Sequence, residues 1–248
     1  MTPKSHLIEV AKRVKAAPRS IPAGMSEAYI GGGQSRLRYA GLKVPQIKKI
    51  ARSGFAIESL DFEAQFDTWE YVWQSSDCYE VMSLALGWLG QRKHRDRLKT
   101  MWPRIAKWAL RIDNWAHGDE LCGIYADILE SQRKDVLPTL ERWSEHKSPW
   151  LRRISLVSLI FYASQRERIL PFKTIARLIQ KQIHVDHHYV QRAVGWTLRE
   201  LGHFHPKETL ALLDRHATDL SAIAFSAAAE KLTDRERNRL KAIRKMAR

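Results

Sequence analysis

A pattern of one aromatic residue, a few polar or basic ones and then a run of small apolar ones recurs along this chain. It occurs in "YEVMSLALGWLGQ" from Tyr79, "NWAHGDELCGIYADIL" from Asn114, "PWLRRISLVSLIFYA" from Pro149 and "YVQRAVGWTLREL" from Tyr189. A fifth, looser copy is "LSAIAFSAAAEKL" from Leu220. The aromatic starts Tyr79, Trp115, Trp150 and Tyr189 lie 36, 35 and 39 residues apart. A period of that size is a helix pair, which cannot bury its apolar side alone and must stack on its neighbours. The expected fold is therefore all-α, an α-solenoid of HEAT-like helix pairs. In such an array the second helices line a concave face, so residues at equivalent places converge on one groove. Asp119, Arg152, Arg153, Gln191 and Arg192 hold such places.

The pattern is interrupted once. "AYIGGGQSRLRYAGLKVPQ", from Ala28 to Gln46, carries three consecutive glycines, an alternating "RLRY", then Gly41 and Pro45, which argues for a loop or a short hairpin. We expect one HEAT-like domain over residues 1–248. It would have N-terminal helices in 1–28, an inserted loop or hairpin at about 30–44 and the repeat array from about 45 onward.

Charge narrows the partner. Lys and Arg number 42 against 27 acidic residues, a formal net charge of +15. Such an excess predicts an anionic partner, with a nucleic-acid backbone favoured over an anionic membrane surface. It counts against a protein-interaction solenoid. A basic groove with interleaved Trp and Tyr suits a nucleic acid, and nine Trp are available. No apolar run is long enough to span a bilayer. The N-terminal stretch alternates apolar and basic residues as a first helix would, so no secretion signal is expected. Cys78 and Cys122 lack metal spacing and fit a reduced, cytoplasmic setting.

Within "RIDNWAHGDELCGIYADIL", Trp115 and Asp119 are four residues apart and share one helix face. Taken alone, the ring reads as core and the carboxylate as a solvated or ion-paired charge. Other features carry less. His184, Asp186, His187 and His188 crowd together, but their spacing is not a zinc pattern and a loop between helices is the simpler reading. His117 reads as a fixed neutral histidine. The glycines at 31–33 lack the Lys-Ser/Thr of a phosphate loop. The C-terminal "DRERNRLKAIRKMAR" is a mixed-charge helix.

Four segments, in order and at near-equal spacing, resemble the AlkD family of HEAT-like-repeat alkylpurine DNA glycosylases. "MSEAYIGG" with "GLKVPQIKKIAR" is similar to the family's N-terminal Tyr and Gly-Pro turn. "NWAHGDELC" is similar to its Trp-x-x-x-Asp helix, "WLRRISLVSL" to its Trp-Leu-x-Arg helix and "YVQRAVGWTLREL" to its Gly-Trp-x-Leu-Arg helix. The resemblance implies that Asp119 is the catalytic carboxylate and that Trp115 and Trp196 face the lesion. It also implies that Arg153 contacts DNA, that Tyr29 lies near the lesion and that Arg199 is the basic residue of the last motif. It implies excision of cationic N3- or N7-alkylated purines from duplex DNA, by a monomer near the nucleoid and with no metal or organic cofactor. Two departures stand out. His117 and Gly118 replace the usual bulky polar pair, and "GGGQSRLRY" lengthens the stretch after Tyr29. Relatives of the AlkF and AlkG branch carry a hairpin there and are better described as binders of branched DNA. The alternative expectation is therefore a weakly active DNA-structure binder on the same scaffold.

Overall fold

The computed structural model describes residues 1–160 and 169–247. The last three residues of the third pattern copy, 161–163, lie outside the described residues. Among the described residues the chain is helical, with one isolated backbone bridge between Arg38 and Cys78 in place of any sheet. It divides into two compact units, Met1–Ile124 and Tyr125–Arg248.

The first unit holds α1 (Pro3–Ala16), α2 (Met25–Gly31), α3 (Val44–Arg52), α4 (Phe62–Ser75), α5 (Tyr79–Leu89), α6 (Arg95–Lys99) and α7 (Trp102–Ile105). The helix α8 (Trp115–Ser131) begins in this unit and ends in the next. Helix starts follow local chemistry. Thr2 and Asp61 cap α1 and α4, each accepting a backbone N–H from three residues on, which satisfies a donor that the helix itself leaves open. α4 packs on α1 and α5, and α3 also lies on α5. The core between them is unusually aromatic. Trp73 and Trp108 stack at 5.1 Å, and the Trp73 indole N–H donates to the Trp108 carbonyl at 3.1 Å. Phe66, Trp69 and Trp88 complete it.

The second unit holds α9 (Arg133–Trp143), α10 (Pro149–Ile160), α11 (Phe172–Gln180), α12 (His188–Phe204), α13 (Pro206–Arg215), α14 (Ala222–Ala228) and α15 (Asp234–Met246). Here the repeat is plain. α10, α12 and α14 lie side by side as successive second helices, and α9, α11 and α13 pack on them as first helices. Small residues allow the closest approach. A Cβ added at Gly195 of α12 would stand 2.4 Å from the Ala224 carbonyl oxygen and 2.8 Å from the Ala227 Cβ of α14.

The interruption takes the loop form and not the hairpin form. α2 ends at left-handed Gly32 and Gly33, and the chain then runs to α3 without a further helix or a strand.

Much of the basic excess has a structural use. Arg13, Arg111, Arg152, Arg237 and Arg244 each donate to backbone carbonyls near helix ends. Net charge therefore overstates how many cations are left for a partner.

Candidate functional site

α8 starts where the sequence supplies a cap. The Asn114 side-chain oxygen accepts the His117 backbone N–H at 2.9 Å. Beyond it, residues sort by face. His117, Gly118, Leu121, Cys122, Tyr125 and Ile128 are buried, whereas Trp115, Asp119, Gly123 and Asp127 are only partly covered. Trp115 and Asp119 thus lie on one accessible face, a turn apart, as their spacing predicts. The Trp115 indole N–H donates to the Tyr29 carbonyl at 2.9 Å, and the two rings meet edge-on at 5.5 Å. Tyr29 itself is 71% exposed. Two of the aromatics that the resemblance assigned to the lesion are thereby brought into contact.

His117 faces the other way. It is fully buried, stacked on Tyr79 at 4.2 Å and hydrogen-bonded at both ring nitrogens, to Asn114 and Ser83. Because the Asn114 amide oxygen is spent on the His117 N–H, its amide nitrogen faces the ring. Nδ1 therefore accepts, and Nε2 carries the proton toward Ser83. Burial pushes the imidazole pKa down to about 3, so it stays neutral.

The inserted loop is pinned along its length. Glu80, buried at the start of α5, accepts the backbone N–H groups of Ala40, Gly41 and Leu42 at 2.8, 2.7 and 3.1 Å. Asp113 accepts the Arg36 N–H at 2.8 Å and the Ser35 hydroxyl at 3.0 Å. Between these anchors the Arg38 N–H donates to the Asp77 carbonyl, and the Tyr79 N–H donates back to Arg38. Gly41 must be glycine: its φ is +77°, and a Cβ would meet the Ile21 carbonyl at 2.8 Å. What the loop leaves outside is Gly32, Gly33, Gln34, Arg36 and Arg38. Arg38 is paired with exposed Asp77, a bond that holds that carboxyl below its usual range but adds little stability in water.

In the second unit, Arg153 of α10 donates to the Tyr189 carbonyl at 2.9 Å and sits 5.9 Å over the Trp196 ring of α12. Trp196 is partly exposed, and its indole N–H donates to Glu200 at 3.2 Å. Four of the side chains expected at DNA have partners within the protein. Arg153 is only 5% exposed, so it holds Trp196 and Tyr189 and offers little surface to DNA. Arg152 gives its guanidinium to the carbonyls of Ser144, Glu145 and His146, closing the end of α9. Gln191 is buried, and its amide donates to the carbonyls of Gln182, Ile183 and Val185. Arg199 is neutralised between Glu200 and Glu230, whose carboxyl it holds below the usual range. In all four cases a side chain with several donors lies nearer to unpaired carbonyls or to a carboxylate than to solvent. Arg192 is exposed.

His184 and His187 lie in the turn before α12, His187 as its cap residue, and His188 opens the helix. Among the described residues no group of three or more His, Cys, Asp or Glu converges to hold a metal.

One feature escaped the sequence reading. The first unit contains an open recess of about 530 Å³ between α3 and α5, into which Glu120 of α8 projects. Water reaches Glu120, yet protein surrounds its carboxyl, and this desolvation raises its pKa to about 7 against the pull of Lys48. The neighbouring "DE" at 119–120 was the available signal, because adjacent carboxylates on a helix point to different faces.

Stacked helix pairs with an aromatic-and-carboxylate face at the start of one repeat helix define a class, the all-helical repeat proteins. The family model for DNA alkylation repair enzymes matches residues 11–232, and the chain belongs to that family. Among solved structures, a predicted DNA alkylation repair enzyme from Enterococcus faecalis is similar at a TM-score of 0.65 and 14% identity, over 88% of this chain and all of that one. AlkD2 from Streptococcus mutans is similar at a TM-score of 0.59 and 16% identity, over 94% of this chain and all of that one. At such identity these likenesses bear on fold alone. A comparison with curated proteins finds no significant match. No described helix is long and apolar enough to cross a membrane.

Proposed function

We propose that this protein is a DNA glycosylase that removes cationic N3- or N7-alkylated purines from duplex DNA, acting as a monomeric, single HEAT-like domain in the cytoplasm with the nucleoid. The observation that carries the reading is the accessible face of α8. Trp115 and Asp119 lie on it one turn apart, with exposed Tyr29 in contact with the indole, in a chain of the DNA alkylation repair family.

Alkylation at N3 or N7 makes the purine a cation, which departs neutral when the N-glycosidic bond breaks. Positive charge then moves to the sugar. A carboxylate facing C1′ stabilises that charge and can orient the water that attacks it. Asp119 takes this role. Trp115 presents its ring to the cationic base, the role that the resemblance also gives to the partly exposed Trp196, and such an attraction is worth roughly 0.5–2 kcal/mol, more as water is excluded. Since this is small beside a glycosylase's rate gain, the substrate must already be labile, and neutral damaged bases are not processed. Tyr29 and Arg192 are the exposed DNA contacts, while Arg153, Arg152, Gln191 and Arg199 brace helices and turns of the second unit.

The test is release of 7-methylguanine from duplex DNA. Wild type is expected to release it, and Asp119→Asn is expected to lose at least 100-fold in rate while keeping its DNA affinity. Equal loss of rate and affinity, or release by the variant at the wild-type rate, would remove Asp119 from the chemistry. If about six phosphates are contacted, log affinity falls with log salt at a slope of about −5.

A second reading has its own support. The inserted loop is held by Glu80, Asp113 and Asp77, yet it leaves Arg36 and Arg38 outside, close in sequence to Tyr29. On that reading the protein binds branched DNA and excises feebly. Tight junction binding that falls on Arg36→Ala, with no release of 7-methylguanine by wild type, would favour it.

A further inference from the structure

We propose that the recess between α3 and α5 is a binding site for a small planar heterocycle whose edge carries two adjacent N–H donors, a guanine-type edge, received by Glu120. The site goes beyond excision and does not depend on it.

Three observations point there. The first is shape: the recess holds about 530 Å³, walled on the α3 side by Val44, Ile47 and Ala51 and on the α5 side by Leu84 and Gly87. Small-ligand sites of this size are mostly apolar with a few convergent polar groups. The second is Gly87, in the last turn of α5, where glycine costs up to about 1 kcal/mol relative to alanine. Its φ is not left-handed, and a Cβ there would meet nothing within 4 Å. Neither the fold nor the backbone requires glycine, and what its bare backbone does is keep the recess open. The third is the polar equipment. Glu120 lines the recess with Lys48 and Tyr79. The carboxyl and the phenol act on each other electrostatically, since the Glu120 charge opposes ionisation of Tyr79.

A carboxylate offers two acceptors side by side, which matches two parallel N–H donors from a planar group. The apolar walls suit the faces of a flat ring, and Gly87 lets it lie close to the α5 backbone. Desolvation raises the Glu120 pKa to about 7, an effect that water moderates at this exposed side chain. Such a ligand therefore binds its charged form better and releases a proton on binding. The other ionisable groups facing it are Lys48 and Arg52 from α3, Glu58 from the turn before α4, and Tyr79 from α5.

The experiment is ligand-observed NMR of 7-methylguanine with the full chain and no DNA, at pH 6 and pH 8. The expected result is saturable binding that tightens several-fold from pH 6 to pH 8. Glu120→Gln should weaken it at least tenfold at pH 8 and remove the pH dependence. Gly87→Leu, which fills the recess and is a better helix former, should abolish it. 7-Methylhypoxanthine, which lacks the second donor, should bind at least tenfold more weakly. No binding by wild type, or binding unaltered in Gly87→Leu, would overturn the proposal. Excision without free-base binding would end this site and leave the glycosylase reading standing, and the reverse result would do the opposite.

Discussion

Gly87 and Gly195 each precede a tryptophan, Gly87 in the last turn of α5 in the first unit and Gly195 in the middle of α12 in the second. The two dipeptides are used in opposite ways. At Gly195 the missing side chain admits the backbone of α14, and Trp196 is left partly outside. At Gly87 nothing approaches, and Trp88 is the buried member. The difference extends to the units around them. The second packs by close contact of small residues between α12 and α14. The first packs by large aromatics and by buried polar groups, Glu80, Asn114 and His117, that tie the loop and α8 in place. The same short motif therefore serves a tight helix contact in one repeat and an open surface in another, because neighbours and not the motif decide which face is covered.

The comparison can be broken most directly at its tight end. Gly195→Ala should cost about 1–3 kcal/mol in urea denaturation, the usual penalty of overpacking, since its Cβ would fall 2.4 Å from a backbone oxygen. An unchanged midpoint would mean that α14 is free to retreat.

The first unit should show its polar core through pH. His117 has an unfolded-state pKa near 6.5 and about 3 when folded, depressed by burial. The unfolded chain then binds a proton that the folded chain refuses, so this contribution is complete above about pH 6.5 and is lost as pH falls toward 3. The limiting slope is about 1.4 kcal/mol per pH unit, and hydrogen exchange at pH 5 should open the first unit before the second. Glu120 has the opposite sign: its folded pKa is raised, so its charge destabilises as pH rises through 7. Glu120→Gln should accordingly raise the melting temperature at pH 8 and leave it unchanged at pH 4.

Glu80→Gln should cost about 1–3 kcal/mol, because an amide replaces one acceptor oxygen by a donor that faces backbone N–H groups. Faster exchange of the amides at 40–42 is the specific readout. The smallest effect closes the comparison: Gly87→Ala should gain up to about 1 kcal/mol. A loss there would mean that the two glycines are under the same constraint after all.

The helix pairs were legible because a period near 36 residues is a property of the chain itself, and so was the shared face of Trp115 and Asp119. His117 could be read as fixed and neutral, although its partners Ser83 and Tyr79 could not be named. The protein partners of the polar candidates were not legible. Arg152, Arg153 and Gln191 occupy places that the repeat assigns to a groove, and Arg199 one that the resemblance assigns, yet Arg152 and Gln191 serve the carbonyls of nearby turns, while Arg153 and Arg199 reach Tyr189 and Glu230, 36 and 31 residues away. Charge can be counted from sequence, whereas the carbonyl that consumes it cannot. Glu120 and the recess were missed for the same reason, since they depend on α3 lying across α5.

Glu80 and Asp113 hold the inserted loop mainly by its main-chain amides. Its course is thus written in helices that it does not belong to, and the side chains it displays at 34, 36 and 38 are free to vary without moving it. That makes the segment an exchangeable cassette. Specificity could be rewritten there, by drift or by design, while the repeat scaffold underneath is left untouched.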